Sequence, residues 1–137
     1  MFFGFFLFNC GSPSEKSSTQ TNNDDSLKNN TVSTSNMDLL QGKWQSTDDK
    51  TNFLVFEKNH RKEIVEGMEN WDDEIFELQD HCLNESDKAN NYPVEKDRYI
   101  SCSESDLCWY IISLDSETLS LSYMSRGNTL TYKKVKE

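Results

Sequence analysis

The feature that most constrains the fold is a series of short segments in which apolar and polar residues alternate. They recur between residues 42 and 135, with turn residues between them, and no stretch keeps a helical period over ten residues. Such a pattern favours an all-β antiparallel meander that closes into a small barrel, because closure removes exposed strand edges. We predict eight strands, at 42–47, 52–58, 61–66, 74–81, 97–102, 107–114, 118–125 and 128–135.

The N-terminal segment predicts where in the cell the protein is located. Seven of the first eight residues are apolar, and Cys10-Gly11-Ser12 follows Asn9. This arrangement resembles the signal peptide and lipobox of a bacterial lipoprotein. The resemblance implies removal of the signal peptide at 1–9, lipidation of Cys10, and a lipid-anchored place in the bacterial cell envelope. The outer membrane is the expected membrane, with the domain facing the periplasm or the exterior. An apolar N-terminus without this role is the alternative.

A polar segment separates Cys10 from the β domain. Residues 11–36 contain 17 Ser, Thr, Asn or Gln side chains and only two sizeable apolar ones, Leu27 and Val32. Such a segment buries too little apolar surface to offset the entropy of ordering it, so we expect a disordered tether. The predicted organisation is therefore a lipidated cysteine and linker at 10–36, followed by one β domain at 37–137.

The charge of the predicted domain limits its partners. Residues 37–137 carry 21 acidic and 12 basic side chains. A nucleic-acid partner is excluded, since phosphate recognition needs clustered Lys and Arg. Nine acidic residues and no Lys or Arg lie between Glu66 and Asp87. No calcium-loop spacing is present among them, so we predict a solvated acidic face and no metal site.

Two motifs resemble the lipocalin family. Gly42-x-Trp44 opens the first strand after a short helical turn, and the ending from Leu119 to Lys134 is similar to small lipocalin-like domains of bacterial lipoproteins. The resemblance implies that Trp44 plugs the closed end of the barrel and that a basic residue packs over it. Lys133 and Lys134 are placed for that contact at the end of the last strand.

The opposite, open end of the predicted barrel carries the candidate ligand site. Arg126, in the last hairpin turn, and Trp71, in the loop at 67–73, are expected at this mouth. A guanidinium and an aromatic ring there would hold an aromatic or carboxylate-bearing ligand. A solvated turn without a ligand is the alternative.

Catalytic patterns are missing from the sequence, which predicts no enzyme and no cofactor. The chain has no nucleophile elbow and no glycine-rich phosphate loop. His81 and Cys82 are adjacent on an extended chain, so their side chains point to opposite faces and do not chelate together. Cys102 and Cys108 lack the spacing of a structural zinc motif.

Two functions therefore stay open. One is a membrane-tethered module that binds a small apolar or amphipathic ligand inside the barrel. The other is a protein-interaction or inhibitor module with a filled barrel that uses its acidic face against a basic partner. An apolar pocket above about 300 Å³ favours the ligand, and a filled interior favours the partner.

Three cysteines other than Cys10 allow one intramolecular disulfide. Cys102 and Cys108 flank a five-residue loop between consecutive strands, and we expect them to be bonded. In a simple meander, Cys82 ends its strand roughly 20 Å from both, beyond the Cα separation of about 7 Å that a disulfide spans. A Cys82–Cys108 bond is the alternative, and it would show this strand arrangement to be wrong.

Overall fold

The structure, a computed structural model, describes residues 33–136. In this part of the chain no helix is long and apolar enough to cross a membrane. Cys10 and the predicted signal peptide lie outside the described residues. The elements are α1 (Asn36–Leu40), β1 (Gly42–Ser46), β2 (Asn52–Glu57), β3 (His60–Val65), β4 (Asp72–Ile75), β5 (Glu77–Gln79), β6 (Tyr99–Cys102), β7 (Leu107–Leu114), β8 (Thr118–Tyr123) and β9 (Thr129–Lys134).

The nine antiparallel strands form one sheet that rolls into a nearly closed barrel. The strand order is β4-β3-β2-β1-β9-β8-β7-β6-β5, so β4 and β5 are the two ends of the sheet. Only Phe76 separates them in the chain, and its N–H donates to the Asn59 carbonyl at 2.9 Å. β4 and β5 thus form one extended run that pairs first with β3 and then with β6. This run brings the two edges of the sheet together. The all-β barrel prediction is confirmed, and the predicted strand at 74–81 is seen as two strands.

Apolar side chains fill the closed half and the middle of the barrel. Phe56 and Phe76 meet edge to face with ring centroids 5.4 Å apart, in line with the geometry that aromatic pairs prefer. Every strand from β6 to β9 adds at least one side chain to the same cluster, and the rest come from α1, β1, β2 and Phe76 between β4 and β5. Its members are Leu40, Trp44, Leu54, Phe56, Phe76, Ile100, Cys102, Trp109, Ile111, Leu119, Leu121 and Tyr132, none more than 6% exposed.

Helix α1 covers the closed end. Ser35 caps it by accepting from the Asp38 N–H at 3.1 Å, and Leu40 at its end is fully buried. The Trp44 indole N–H donates to the Leu40 carbonyl at 2.7 Å, and Lys134 Nζ lies 4.3 Å from the Trp44 ring centroid. Lys134 therefore makes the predicted cation–π contact. Because Ser35 is the cap, the folded domain begins slightly before the predicted boundary at residue 37.

Gly42 permits the close passage of the chain beside this lysine. Its φ of 119° is one that side-chain-bearing residues rarely adopt, and a Cβ there would lie 2.9 Å from Lys134 Cε. Lys134 therefore lies where a side chain at position 42 would be and also over the Trp44 ring, so both residues of the Gly-x-Trp pattern adjoin the same lysine.

The predicted Cys102–Cys108 disulfide is wrong. Cys82 is bonded to Cys108, with Cα atoms 5.9 Å apart, and Cys102 is a free, buried cysteine. Cys102 pairs with Leu107 in the β6–β7 ladder and faces the barrel interior, whereas Cys108 packs on the outer face with Tyr99. Side chains on opposite faces of a sheet do not bond to each other.

The chain after β5 explains how Cys82 reaches Cys108. β5 ends at Gln79 instead of continuing to His81, and the following residues fold back over the outer face of β6. The Leu83 N–H donates to Ser101 Oγ at 3.0 Å, which holds this return path in place. The strand order is therefore the simple meander that the sequence predicts. The connection at 80–98, not the strand order, accounts for the alternative disulfide.

The free cysteine gives a testable pH effect. Burial raises the pKa of Cys102 to about 12 from 9.0, and burial also raises the pKa of Tyr132 to about 12 from 10.0. The unfolded chain loses these protons at lower pH than the folded protein does. The free energy of unfolding should therefore fall as the pH rises from about 9 toward 12.

Urea unfolding of the wild type and Cys102→Ala at pH 7 and pH 10.5 checks this effect. We expect the stability of the wild type to fall more than that of the variant, because the variant lacks the buried thiol. An equal fall in both proteins would contradict the burial of Cys102.

Candidate functional site

Four connections form the open end of the barrel, at 47–51, 66–71, 103–106 and 124–128. Trp71 lies in the second of these, with 52% of its surface exposed, and Arg126 lies exposed in the last. Both predicted residues are thus at the predicted end. Neither lines the two pockets found there, and among the described residues no cation–π contact joins them. Other side chains line these two pockets.

The first pocket is a cleft of about 310 Å³ at the seam of the barrel. β4 is the terminal strand here, and the turn between β6 and β7 forms the opposite wall. Five carboxylates and one guanidinium line the cleft, so it is strongly acidic. We call it the acidic cleft, and its lining is Arg61, Glu63, Asp72, Asp73, Glu74, Glu104, Ser105 and Leu107.

The second pocket, of about 230 Å³, opens into the mouth of the barrel. Strands β7, β8 and β9 supply an aromatic and aliphatic wall, and β3 supplies two charged side chains. We call it the aromatic cup, and its lining is Arg61, Glu63, Leu107, Trp109, Tyr123, Leu130 and Tyr132. Arg61, Glu63 and Leu107 line both pockets, so these three side chains form the wall between the cleft and the cup.

Arg61 is the centre of this site, and it is only 3% exposed. Its guanidinium carbon lies 4.0 Å from the Trp109 ring centroid. Arg61 Nη2 donates to Glu63 Oε2 at 3.3 Å, and Arg61 Nη1 lies 3.6 Å from Glu74 Oε1. Its Nε has no hydrogen-bond partner among the described residues. A buried guanidinium is thus held by a ring face and two carboxylates, and its buried Nε–H is without an acceptor among the described residues.

The register of the sheet produces this arrangement. Arg61 pairs with Phe56 of β2 and with Glu74 of β4, while Leu54 pairs with Glu63. Arg61, Glu63 and Glu74 therefore share the interior face, since residues two apart on a strand point the same way. At the mouth, the β3–β4 side of the barrel is charged and the β7–β9 side is aromatic.

Burial also affects the tyrosine on the aromatic side. It raises the pKa of Tyr132 to about 12, although the positive charge of Arg61 acts in the opposite direction. The Tyr132 hydroxyl is therefore neutral at physiological pH. The negative charge of the site comes from the carboxylates of β3 and β4 and from Glu104.

The sequence did not single out Arg61. In the alternating stretch at 61–65, Ile64 is the most apolar residue, and it favours the face that carries Lys62 and Ile64 as the buried one. The only available signal was the register with β2, where Leu54 and Phe56 face inward and therefore place Glu63 and Arg61 inside.

The other residues considered as metal ligands do not come together in the structure. His81 is exposed beside Asp80, and Cys82 is in the disulfide. Across residues 33–136 no group of three or more His, Cys, Asp or Glu side chains is placed to hold a metal ion.

Comparisons of this chain with protein-family models, with curated proteins and with solved structures find no match.

Proposed function

We propose that this protein is a recognition module for a basic protein partner, and that the acidic cleft at the open end is its contact surface. The observation that carries the proposal is the pairing of a filled barrel with five carboxylates around a single guanidinium in the cleft. Resemblance to lipocalins and anchoring through Cys10 stay predictions. The lipid anchor would place the module at a membrane surface of the cell envelope.

The packing of the barrel supports a partner more than a ligand held inside. Trp44, Phe56, Phe76 and Trp109 occupy the space that a ligand cavity needs, and each is at most 4% exposed. The aromatic cup, at the mouth of the barrel, measures about 230 Å³. That is below the roughly 300 Å³ at which small-molecule sites begin.

The charge of the cleft supports a cationic partner. Asp72 and Asp73 are exposed, and the whole chain has a net charge of −10. Charge complementarity of this kind speeds association and selects among partners, and its effect weakens as salt rises. Trp71 and Met68, which are 52% and 61% exposed in the neighbouring loop, provide apolar area beside the charge. Aromatic side chains and Met are enriched at protein interfaces.

Binding of a lysine- and arginine-rich peptide, measured by isothermal titration calorimetry at low and at physiological salt, tests this proposal. We expect Asp72→Asn/Asp73→Asn to weaken binding at least fivefold. The control Glu85→Gln/Glu117→Gln removes the same charge from side chains that are 83% and 70% exposed outside the cleft, and it should change affinity less than twofold.

Equal weakening by both double variants would contradict a localised contact surface. Titration with a fatty acid and with an apolar fluorescent dye provides the second arm. Saturable one-to-one binding of either, displaced by no basic peptide, would favour the small-ligand function instead.

A further inference from the structure

Arg61 is a buried cation, and its burial carries an energetic cost. A charge removed from water is costly unless good geometry and hydrogen bonds satisfy it, and well-packed apolar residues often stabilise a protein more than a buried ion pair does. Here the two carboxylate contacts are long, at 3.3 and 3.6 Å, and Nε has no partner among the described residues. A buried donor without an acceptor requires an explanation beyond packing.

The surroundings of Arg61 show which chemistry the cup accepts. A guanidinium already lies 4.0 Å from the Trp109 ring centroid with carboxylates beside it. An aromatic face combined with carboxylates is the general solution for holding an organic cation. Tyr123, Leu130 and Tyr132 extend the same wall and provide further surface for a hydrocarbon stem.

The charge balance favours a second cation over an anion. Glu63 and Glu74 contact one guanidinium, and the adjoining cleft adds three further carboxylates. An anion drawn to Arg61 would meet this excess of negative charge. A cation entering beside Glu63 would meet a carboxylate whose side chain is 36% exposed and is therefore accessible from the mouth.

We propose that the aromatic cup receives one lysine or arginine side chain of the partner. This inference rests on the proposed function and deepens it. The incoming charge pairs with Glu63, and the aliphatic stem lies against Tyr123 and Leu130. Arg61 remains on Trp109. The partner is thus anchored by a single basic side chain, while the acidic cleft contacts its surroundings.

The probes are N-acetyl-arginine amide and N-acetyl-lysine amide, with N-acetyl-norleucine amide as the neutral control. Titration into the ¹⁵N-labelled protein is followed by NMR at the indole N–H signals. We expect a saturable shift of the Trp109 signal with the two cations, at a Kd on the order of millimolar, since one exposed ion pair contributes little free energy. The signal of Trp44 at the closed end should not move.

Two variants with the same change of charge identify the contact. Glu63→Gln should weaken binding of the cationic probes at least threefold, whereas Glu117→Gln, far from the mouth in the β7–β8 connection, should leave it unchanged. Equal affinity of wild type and Glu63→Gln would overturn the proposal. So would saturable binding of N-acetyl-glutamate amide in place of the cations, because Arg61 would then be the anchor for an anion.

The outcome also separates this inference from the proposed function. A basic peptide that binds Glu63→Gln as tightly as the wild type, but binds Asp72→Asn/Asp73→Asn weakly, would leave the acidic cleft as the contact surface and remove the cup. If every one of these variants bound the basic peptide as tightly as the wild type, both the acidic cleft and the aromatic cup would be ruled out as contact sites.

Discussion

Trp44→Ala is expected to lower the free energy of unfolding by about 3–5 kcal/mol, the range for removing a large aromatic side chain from a core. Trp44 has no exposed surface and packs in the cluster that fills the barrel. The substitution also removes the hydrogen bond to the Leu40 carbonyl and the ring beneath Lys134. Both contacts join helix α1 and the last strand to the first, so their loss loosens the closed end. Urea unfolding of the domain measures the change.

Two variants separate the causes. Trp71→Ala removes a tryptophan that is 52% exposed, and it should change stability by no more than about 0.5 kcal/mol. Trp44→Phe keeps an apolar ring but lacks the indole N–H, and a lost hydrogen bond of this kind costs about 1 kcal/mol. A cost of Trp44→Ala no larger than that of Trp71→Ala would contradict the burial of Trp44 in the core.

Cys82→Ser is expected to lower the free energy of unfolding by about 3–4 kcal/mol in a non-reducing buffer. The disulfide joins residues that are 26 apart, and closing a loop of that length restricts the unfolded chain by about this amount. The bond also fixes the connection at 80–98 against the outer face of β6 and β7. Unfolding with and without reductant measures the effect, and peptide mapping of the oxidised protein identifies the bonded pair.

Cys102→Ala is the matched control for the disulfide. It removes a buried cysteine that has no covalent partner, so the protein should stay sensitive to reductant. Cys82→Ser should be insensitive to reductant. A reductant effect that disappears in Cys102→Ala but persists in Cys82→Ser would show that Cys102 and Cys108 are the bonded pair.

The strand pattern was predictable because alternation and turn residues act locally. Seven of the eight predicted strands coincide with the observed ones within two residues at each end. The remaining predicted strand, at 74–81, spans the point where the chain stops pairing with β3 and begins pairing with β6. No local signal marks that change of partner, since Phe76 continues the apolar alternation while its N–H bonds to the turn after β2.

Which face is buried was harder to predict where both faces are apolar. Residues 53–56 are all apolar: Leu54 and Phe56 fill the barrel, whereas Phe53 is buried on the other face, with Lys43 Nζ 4.4 Å from its ring centroid. The burial of Arg61 follows from this register. Local sequence patterns could not reveal the site, because the burial of Arg61 depends on how β3 pairs with β2.

The seam of the barrel also bears on how two copies of the chain would meet. β4 is a terminal strand, and its free edge offers main-chain donors and acceptors to any extended segment. Asp72 and Asp73 give that edge two exposed negative charges, while Glu74 faces inward beside Arg61. A second copy presenting the same edge would meet these charges, which disfavour edge-to-edge pairing. An extended basic segment would not meet this barrier, so the two carboxylates that oppose a second copy would favour the basic partner proposed above.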